Sequence, residues 1–335
     1  MAFERLHYPA FEELSDYYDI SAICDSDPQK LQYWTQYLRL GQKHVYTDYR
    51  TMLQQEDMDL VDIMVPIENN YPVTEDAARA GIPIICEKPL AADREQAKAH
   101  RDLAQKYKVP IMIAENYRYS EETSILKSLI DQKQLGEPVF FVQTRAIDFP
   151  QERWENQFPA KEWRQHPDYR GAAILDMAVH NLAALRHLFG PVDSVHGLGK
   201  KQKADWSPYS VIHVNILFKS GMPGQFTFYC GGPEVQRPLI GLRIFCTRGS
   251  IYLEENTCGV INLFYNDGVQ EQIPFRPQRG FYNELLNFYR AAHGQEEITV
   301  TPEIEYGDTK MVFDILESIE TNSPVPVDPE PVLSI

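Results

Sequence analysis

The sequence predicts an α/β protein: a doubly wound parallel sheet, then an α+β region with a large, mostly antiparallel open sheet. Three observations carry this. In the first third, short apolar runs alternate with amphipathic segments, the pattern of strand–helix–strand units. Farther along, strand-length runs follow one another without intervening helices, which implies antiparallel pairing. At 335 residues, 43% hydrophobic and 24% charged, the chain suffices for two ordinary domains.

The first strand is expected over 20–24, ending at Asp25. Asp27-Pro28 then opens a helix carrying Leu31, Trp34 and Leu38, which Gly41 stops. A short strand over 44–46 precedes a helix capped by Thr47 and running through Leu53. The strand over 60–65 is stronger. A helix through Ala77 and Ala78 ends at Gly81, and a strand over 82–86 follows. Asp93 caps a helix reaching Tyr107, and 109–114 closes the series. Right-handed crossovers place the ligand crevice at the carboxyl ends of such strands, where Asp25, Pro66, Glu87 and Lys88 fall.

The second region opens with a helix over 121–132 and, after Gly136, a strand over 139–142. Trp154 and Trp163 precede a helical segment within 171–190. Strands are expected over 211–218, 225–230, 239–246 and 260–265, punctuated by Gly and Pro. Helices over 282–293 and 308–321 return the chain to the domain interface. The division falls between 1–117 and 118–335.

The formal charge of −16 argues against nucleic acid and against anionic membrane surfaces. Five scattered cysteines fit a reducing compartment, and the cytoplasm is expected. No C-x-x-C or H-E-x-x-H spacing occurs, so no metal is expected. The N-terminus lacks the apolar core of a signal peptide, and no uncharged run is long enough to span a bilayer.

Two short stretches carry chemistry. Cys86-Glu87-Lys88-Pro89 places a lysine where an apolar strand stops and a proline turns the chain. Gly171-Ala-Ala-Ile-Leu-Asp176-Met-Ala-Val-His180 places an acid and an imidazole four apart, on one face of an α-helix. Together they suggest a proton-handling site beside a nucleotide-binding sheet. From the local pattern alone, a surface Glu–Lys pair and a solvated or hydrogen-bonded helix pair are the favoured readings.

With Asp314-Ile-Leu-Glu-Ser318, these stretches resemble the glucose–fructose oxidoreductase / inositol dehydrogenase (Gfo/Idh/MocA) family, from His7-Tyr-Pro-Ala10 to Pro326-Val327. The resemblance implies an N-terminal Rossmann domain, a C-terminal domain with an open sheet, and NAD(P)-dependent oxidation or reduction of sugars, cyclitols or related small molecules. It implies that Lys88 stands beside nicotinamide and the substrate hydroxyl, that His180 is the general base or acid, and that Asp176 orients its ring or binds substrate. Asp25 would accept from the adenosine ribose hydroxyls, favouring NAD over NADP. Pro66 would line the nicotinamide crevice, and Glu87 would touch cofactor ribose or make a structural bond. Asn116 and Arg118 would face substrate, Arg118 serving equally as an interface salt bridge. Trp163 would wall a sugar site or act as a buried anchor. A homodimer or homotetramer through the second-domain sheet would cover that sheet's open face.

Three departures from the family pattern stand out. Pro66 keeps the proline of a T-P-N-x-x-H signature, whereas Val65, Ile67 and Asn70 replace other members. Ala172, Ala173 and Ala178 occupy positions where glycines are common. Met1 falls within or just after the place of the family's first strand and G-x-G-x-x-G loop. Either Met1 is internal to a longer chain, the preferred expectation because the other features are retained, or the chain is a non-catalytic binding or regulatory relative.

Overall fold

The computed structural model describes residues 2–152, 162–232 and 240–327. The first half starts with a π-helical turn, Phe3–His7, that continues into α1 (Tyr8–Glu13). There follow β1 (Ile23–Cys24), α2 (Pro28–Tyr37), β2 (Val45–Tyr46), α3 (Tyr49–Gln55), β3 (Val61–Ile63), α4 (Ile67–Arg79), β4 (Ile84–Glu87), α5 (Arg94–Arg101), α6 (Leu103–Tyr107) and β5 (Ile111–Ala114). The N-terminal signals act as their chemistry requires. Asp27 accepts the Gln29 N–H at 2.9 Å, and Asp93 accepts that of Gln96 at 2.8 Å. Before α3 the cap is Asp48, not Thr47. Its carboxylate takes both the Arg50 N–H (3.1 Å) and the Thr51 hydroxyl (2.9 Å).

All the pairings in this half are parallel, as a doubly wound sheet demands. They form two pieces, however: β1–β2, and β3–β4–β5. The edges of β1 and β3 that face away from their partners line a common cleft instead of bonding to each other. Ile84, Ile85 and Cys86 of β4 are fully buried, as befits a strand covered on both faces. Each such isoleucine contributes about 1.5–3 kcal/mol.

The second half contains α7 (Glu121–Asp131), β6 (Pro138–Ala146), α8 (Phe149–Glu152), α9 (Glu162–Gln165), a π-helical turn (Ile174–Ala178) and α10 (Val179–Phe189). Then come β7 (Val192–Lys201), β8 (Tyr209–Phe218), β9 (Pro223–Tyr229), β10 (Gly241–Cys246), β11 (Gly249–Leu253), β12 (Val260–Tyr265), β13 (Gln270–Pro274), α11 (Gly280–Ala292), α12 (Pro302–Thr321) and β14 (Val325–Pro326). The sheet runs β13-β12-β11-β10-β6-β9-β8-β7-β14, and only the β6–β9 pair is parallel. Its inner face packs on α10 and α12 in one core with Phe141, Phe226 and Phe228.

The last helices tie the halves together. Leu285 and Phe288 of α11, with Val300 after it, complete the apolar core beneath β3–β5. Tyr18 donates to the Leu285 carbonyl at 2.6 Å, and the Ile113 N–H donates to Val300 at 2.9 Å. The cleft therefore has walls from both halves.

Candidate functional site

Lys88 sits where β4 ends, in a loop fastened from α4. The buried Asn70 amide donates to the carbonyls of Glu87 (2.9 Å) and Pro89 (2.7 Å), and the Lys88–Pro89 peptide is cis. Asn70, a departure from the family signature, thus holds the lysine loop. Lys88 Nζ donates to the Asp176 carbonyl at 2.6 Å and to its Oδ1 at 3.0 Å. Arg164 grips the same carboxylate, with Nε 2.6 Å from Oδ2 and an Nη 3.2 Å from Oδ1. Burial alone would raise the Asp176 carboxyl, but Arg164 and Lys88 more than offset it and hold the group well below the usual carboxylate range.

Asp176 does not orient His180. The four-residue spacing crosses from a π-helical turn into α10, so the two side chains do not stack as they would in a continuous α-helix. Two cations occupy the acid, and the imidazole finds another partner. Glu115, fully buried just after β5, has Oε1 2.7 Å from His180 Nδ1. The Tyr117 ring lies against the imidazole, 4.6 Å between centroids and 18° from parallel.

Lys88, Asp176, Arg164 and His180 open onto one cleft of about 1740 Å³. Residues 17–26 and 57–67 line its other side and bring Asp25 and Pro66 to it. Ala2 and Phe3, at the start of the first helix, reach it too. Asp25 accepts the Asp27 N–H at 2.9 Å, and Lys30 Nζ stands 3.3 Å from its carboxylate. Asn116 lines the cleft where α11 begins. There Gly280 is required, because a Cβ would lie 2.3 Å from the Asn116 carbonyl oxygen.

Glu87 makes a structural bond. Its carboxylate meets Nε2 of the fully buried His7 at 3.0 Å, and Asp62 meets Nδ1 at 2.8 Å. Burial works against a charged imidazole, yet these two carboxylates overcome it and raise His7 well above its ordinary value. Beside this cluster lies Glu284, fully buried, with neither oxygen partnered among the described residues. Burial raises its carboxyl well above the ordinary range. A raised folded value makes the contribution to stability largest at low pH and erodes it as pH rises past the unfolded value of about 4.3. Glu284→Gln removes that titration. The stability of Glu284→Gln relative to wild type rises with pH above about 4.3, by up to about 1.4 kcal/mol per unit, in urea titrations. Parallel curves would refute the assignment.

Arg118 does not reach the cleft. Its Nε and Nη2 bind Asp308 at 2.9 and 2.8 Å inside the protein, and Arg186 holds the same carboxylate. The structure corrects the substrate-facing expectation in favour of the interface salt bridge, since a guanidinium so engaged has no fork left for a ligand. Arg118→Ala should cost about 3 kcal/mol in chemical denaturation, because Asp308 loses one of its two cations. A substrate contact would instead raise the Michaelis constant at unchanged stability. The side chain of Trp163 lies outside the described residues. Sequence reasoning missed Glu115 as a partner of His180, and also Arg164 and Asn70. None stands at a regular spacing from the residue it serves.

Comparison with known proteins supplies the family. Residues 2–115 match the model of an oxidoreductase family with an NAD-binding Rossmann fold, and residues 124–252 match a GFO/IDH/MocA C-terminal domain. D-apiose dehydrogenase of Paraburkholderia graminis is 31% identical over 220 residues, 66% of this chain and 56% of that protein. An uncharacterized protein of Saccharomyces cerevisiae is 25% identical over 249 residues, 74% of this chain and 70% of its own length. An oxidoreductase from Thermotoga maritima shares the fold with a TM-score of 0.85 at 24% identity, covering 98% of this chain and 95% of that one. Both halves of the molecule thus match the same lineage, and the chain belongs to the Gfo/Idh/MocA oxidoreductase family.

Proposed function

We propose that the protein is an NAD(P)-dependent oxidoreductase that transfers a hydride between nicotinamide and a sugar, cyclitol or related polyhydroxylated small molecule. One observation carries the reading: Lys88 and His180, from separate halves of the chain, line the same cleft. The donor set fits a dinucleotide. Asp25 suits ribose hydroxyls, and Pro66 and Lys88 suit the reactive end of the cofactor, all on one cleft. When bound, the dinucleotide accepts or donates the hydride.

The residues manage the proton and the charge. Lys88, held on the Asp176 carbonyl and carboxylate, presents its ammonium to a substrate oxygen and stabilises developing alkoxide. His180 takes the hydroxyl proton during oxidation and returns it during reduction. Asp176 acts by holding Lys88, and Asn116 lines the substrate side. Asp25 opposes a 2′-phosphate by charge, which favours NAD over NADP. The division into 1–117 and 118–335 belongs to this reading, with α11 returning to the cofactor side.

The outer sheet face exposes Phe140, Leu198, Leu217 and Phe264, and Phe140 stacks on Phe245 at 4.3 Å. Covering these side chains supports a homodimer or homotetramer. All five cysteines are free, in keeping with the cytoplasm. Among the described residues no helix is long and apolar enough to cross a membrane.

The test is direct. Purified protein is mixed with NAD⁺ or NADP⁺ and a panel of sugars and cyclitols that includes D-apiose, and reduced-nicotinamide absorbance is followed. Turnover with at least one polyol, and tighter binding of NAD⁺ than NADP⁺, are expected. Failure to bind either dinucleotide would favour the non-catalytic alternative.

A further inference from the structure

The environment of His180 contains a second buried group that the hydride-transfer scheme does not use. Glu115 follows β5 directly and is fully buried, whereas His180 opens α10 and lines the cleft. Oε1 of Glu115 lies 2.7 Å from Nδ1 and also accepts the Tyr117 N–H at 3.1 Å. An oxygen already accepting from a backbone amide meets the imidazole as an acceptor, so the hydrogen-bond network puts the ring hydrogen on Nδ1. Nε2 is then the basic nitrogen. The stacked Tyr117 ring fixes the plane of the imidazole.

We propose that Glu115 is the positioning residue of His180, selecting the tautomer with a basic Nε2 and stabilising the imidazolium formed when substrate gives up its hydroxyl proton. The proposal rests on the hydride-transfer reading. In oxidation the substrate O–H bond breaks and its proton joins Nε2. The C–H electron pair leaves with the hydride for oxidised nicotinamide, and a C=O bond forms. The imidazole becomes cationic at that moment, and a carboxylate already on Nδ1 opposes the new charge without reorganising. Glu115 touches neither substrate nor cofactor in this scheme.

Other charged groups surround the pair. Lys88 and the Asp176–Arg164 pair share the cleft with the ring, and Glu87 acts on it from the end of β4. Glu284 and Glu305 repel Glu115 electrostatically, and Arg145 acts on Tyr117. All are retained when only Glu115 changes, so the difference between wild type and variant isolates this carboxylate.

The experiment compares wild type with Glu115→Gln and Glu115→Asp in two ways. In steady-state oxidation, Glu115→Gln lowers kcat about tenfold or more with little change in dinucleotide affinity. Glu115→Asp, which keeps a carboxylate on this side of the ring, restores kcat in part. Separately, nitrogen NMR of the His180 ring, assigned by its loss in His180→Gln, needs no turnover. Wild type should show hydrogen on Nδ1, and Glu115→Gln should show a mixture of the two ring tautomers. Identical tautomers in the two proteins would overturn the proposal, even if the enzyme turns over. A wild type without turnover would defeat the hydride-transfer reading, while the ring spectra still decide whether Glu115 sets the state of His180.

Discussion

Lys88→Met should lower turnover about 100- to 1000-fold while changing dinucleotide affinity only slightly. The expected loss corresponds to about 2.7–4 kcal/mol, the scale of one preorganised donor aimed at a developing oxyanion. Methionine keeps much of the aliphatic volume, so the loop held by Asn70 retains its packing. Asp176 keeps a cation, because Arg164 grips it through two nitrogens. The variant therefore removes an ammonium from the cleft without leaving the buried carboxylate alone. Rates and dinucleotide titrations on the same preparations separate the outcomes. Equal turnover in variant and wild type would take Lys88 out of the chemistry, and a loss confined to dinucleotide affinity would make it a binding residue only.

Asp176→Asn should be the most damaging single change to stability, at about 3–5 kcal/mol, because it leaves two cations facing a neutral amide in a buried site. Lys88 is 9% exposed and Arg164 17% exposed at the side chain, so solvent compensates little. The pH dependence follows from sign. The folded carboxyl is depressed, so its contribution is present above the unfolded value of about 3.9 and is lost as pH falls through the lower folded one. Denaturant titrations should show a large gap between wild type and Asp176→Asn near neutrality that closes as acid is added. A gap independent of pH would mean that the charge of Asp176 is not what stabilises the site.

Much of this arrangement was legible in the chain because local chemistry and global fold agree. Apolar runs bounded by Asp, Pro and Gly located β1 to β5, and the strand ends located Asp25, Pro66 and Lys88. Partial apolar alternation over 211–218 marked β8, where Ile212, Val214, Ile216 and Phe218 are buried and His213, Asn215 and Leu217 are exposed. Other strands gave weaker signals. β7, for which no strand was expected, carries Gly197 and Gly199, which interrupt its apolar pattern but let α12 and Tyr209 approach: a Cβ on Gly197 would come within 2.8 Å of Ile319. β13 is a polar edge strand with little apolar alternation.

The site was half legible. Lys88 and His180 stand in recognisable stretches, but their partners come from distant parts of the chain. Glu115 is 65 residues from His180, and no periodicity connects residues that only tertiary packing joins. The acid–imidazole spacing suggested a contact that the π-helical turn removes. Arg118 shared a tetrapeptide with Asn116, but the turn after β5 sends one toward the cleft and the other inward to Asp308. Spacing reports a shared face only while the backbone stays regular.

The most direct measurement is a crystal structure of the protein with NADH bound, read at nicotinamide C4. The ring should lie in the cleft beside Pro66, with C4 facing the space between the Lys88 ammonium and His180 Nε2. A dinucleotide seated elsewhere, or a nicotinamide from which both side chains turn away, would contradict it.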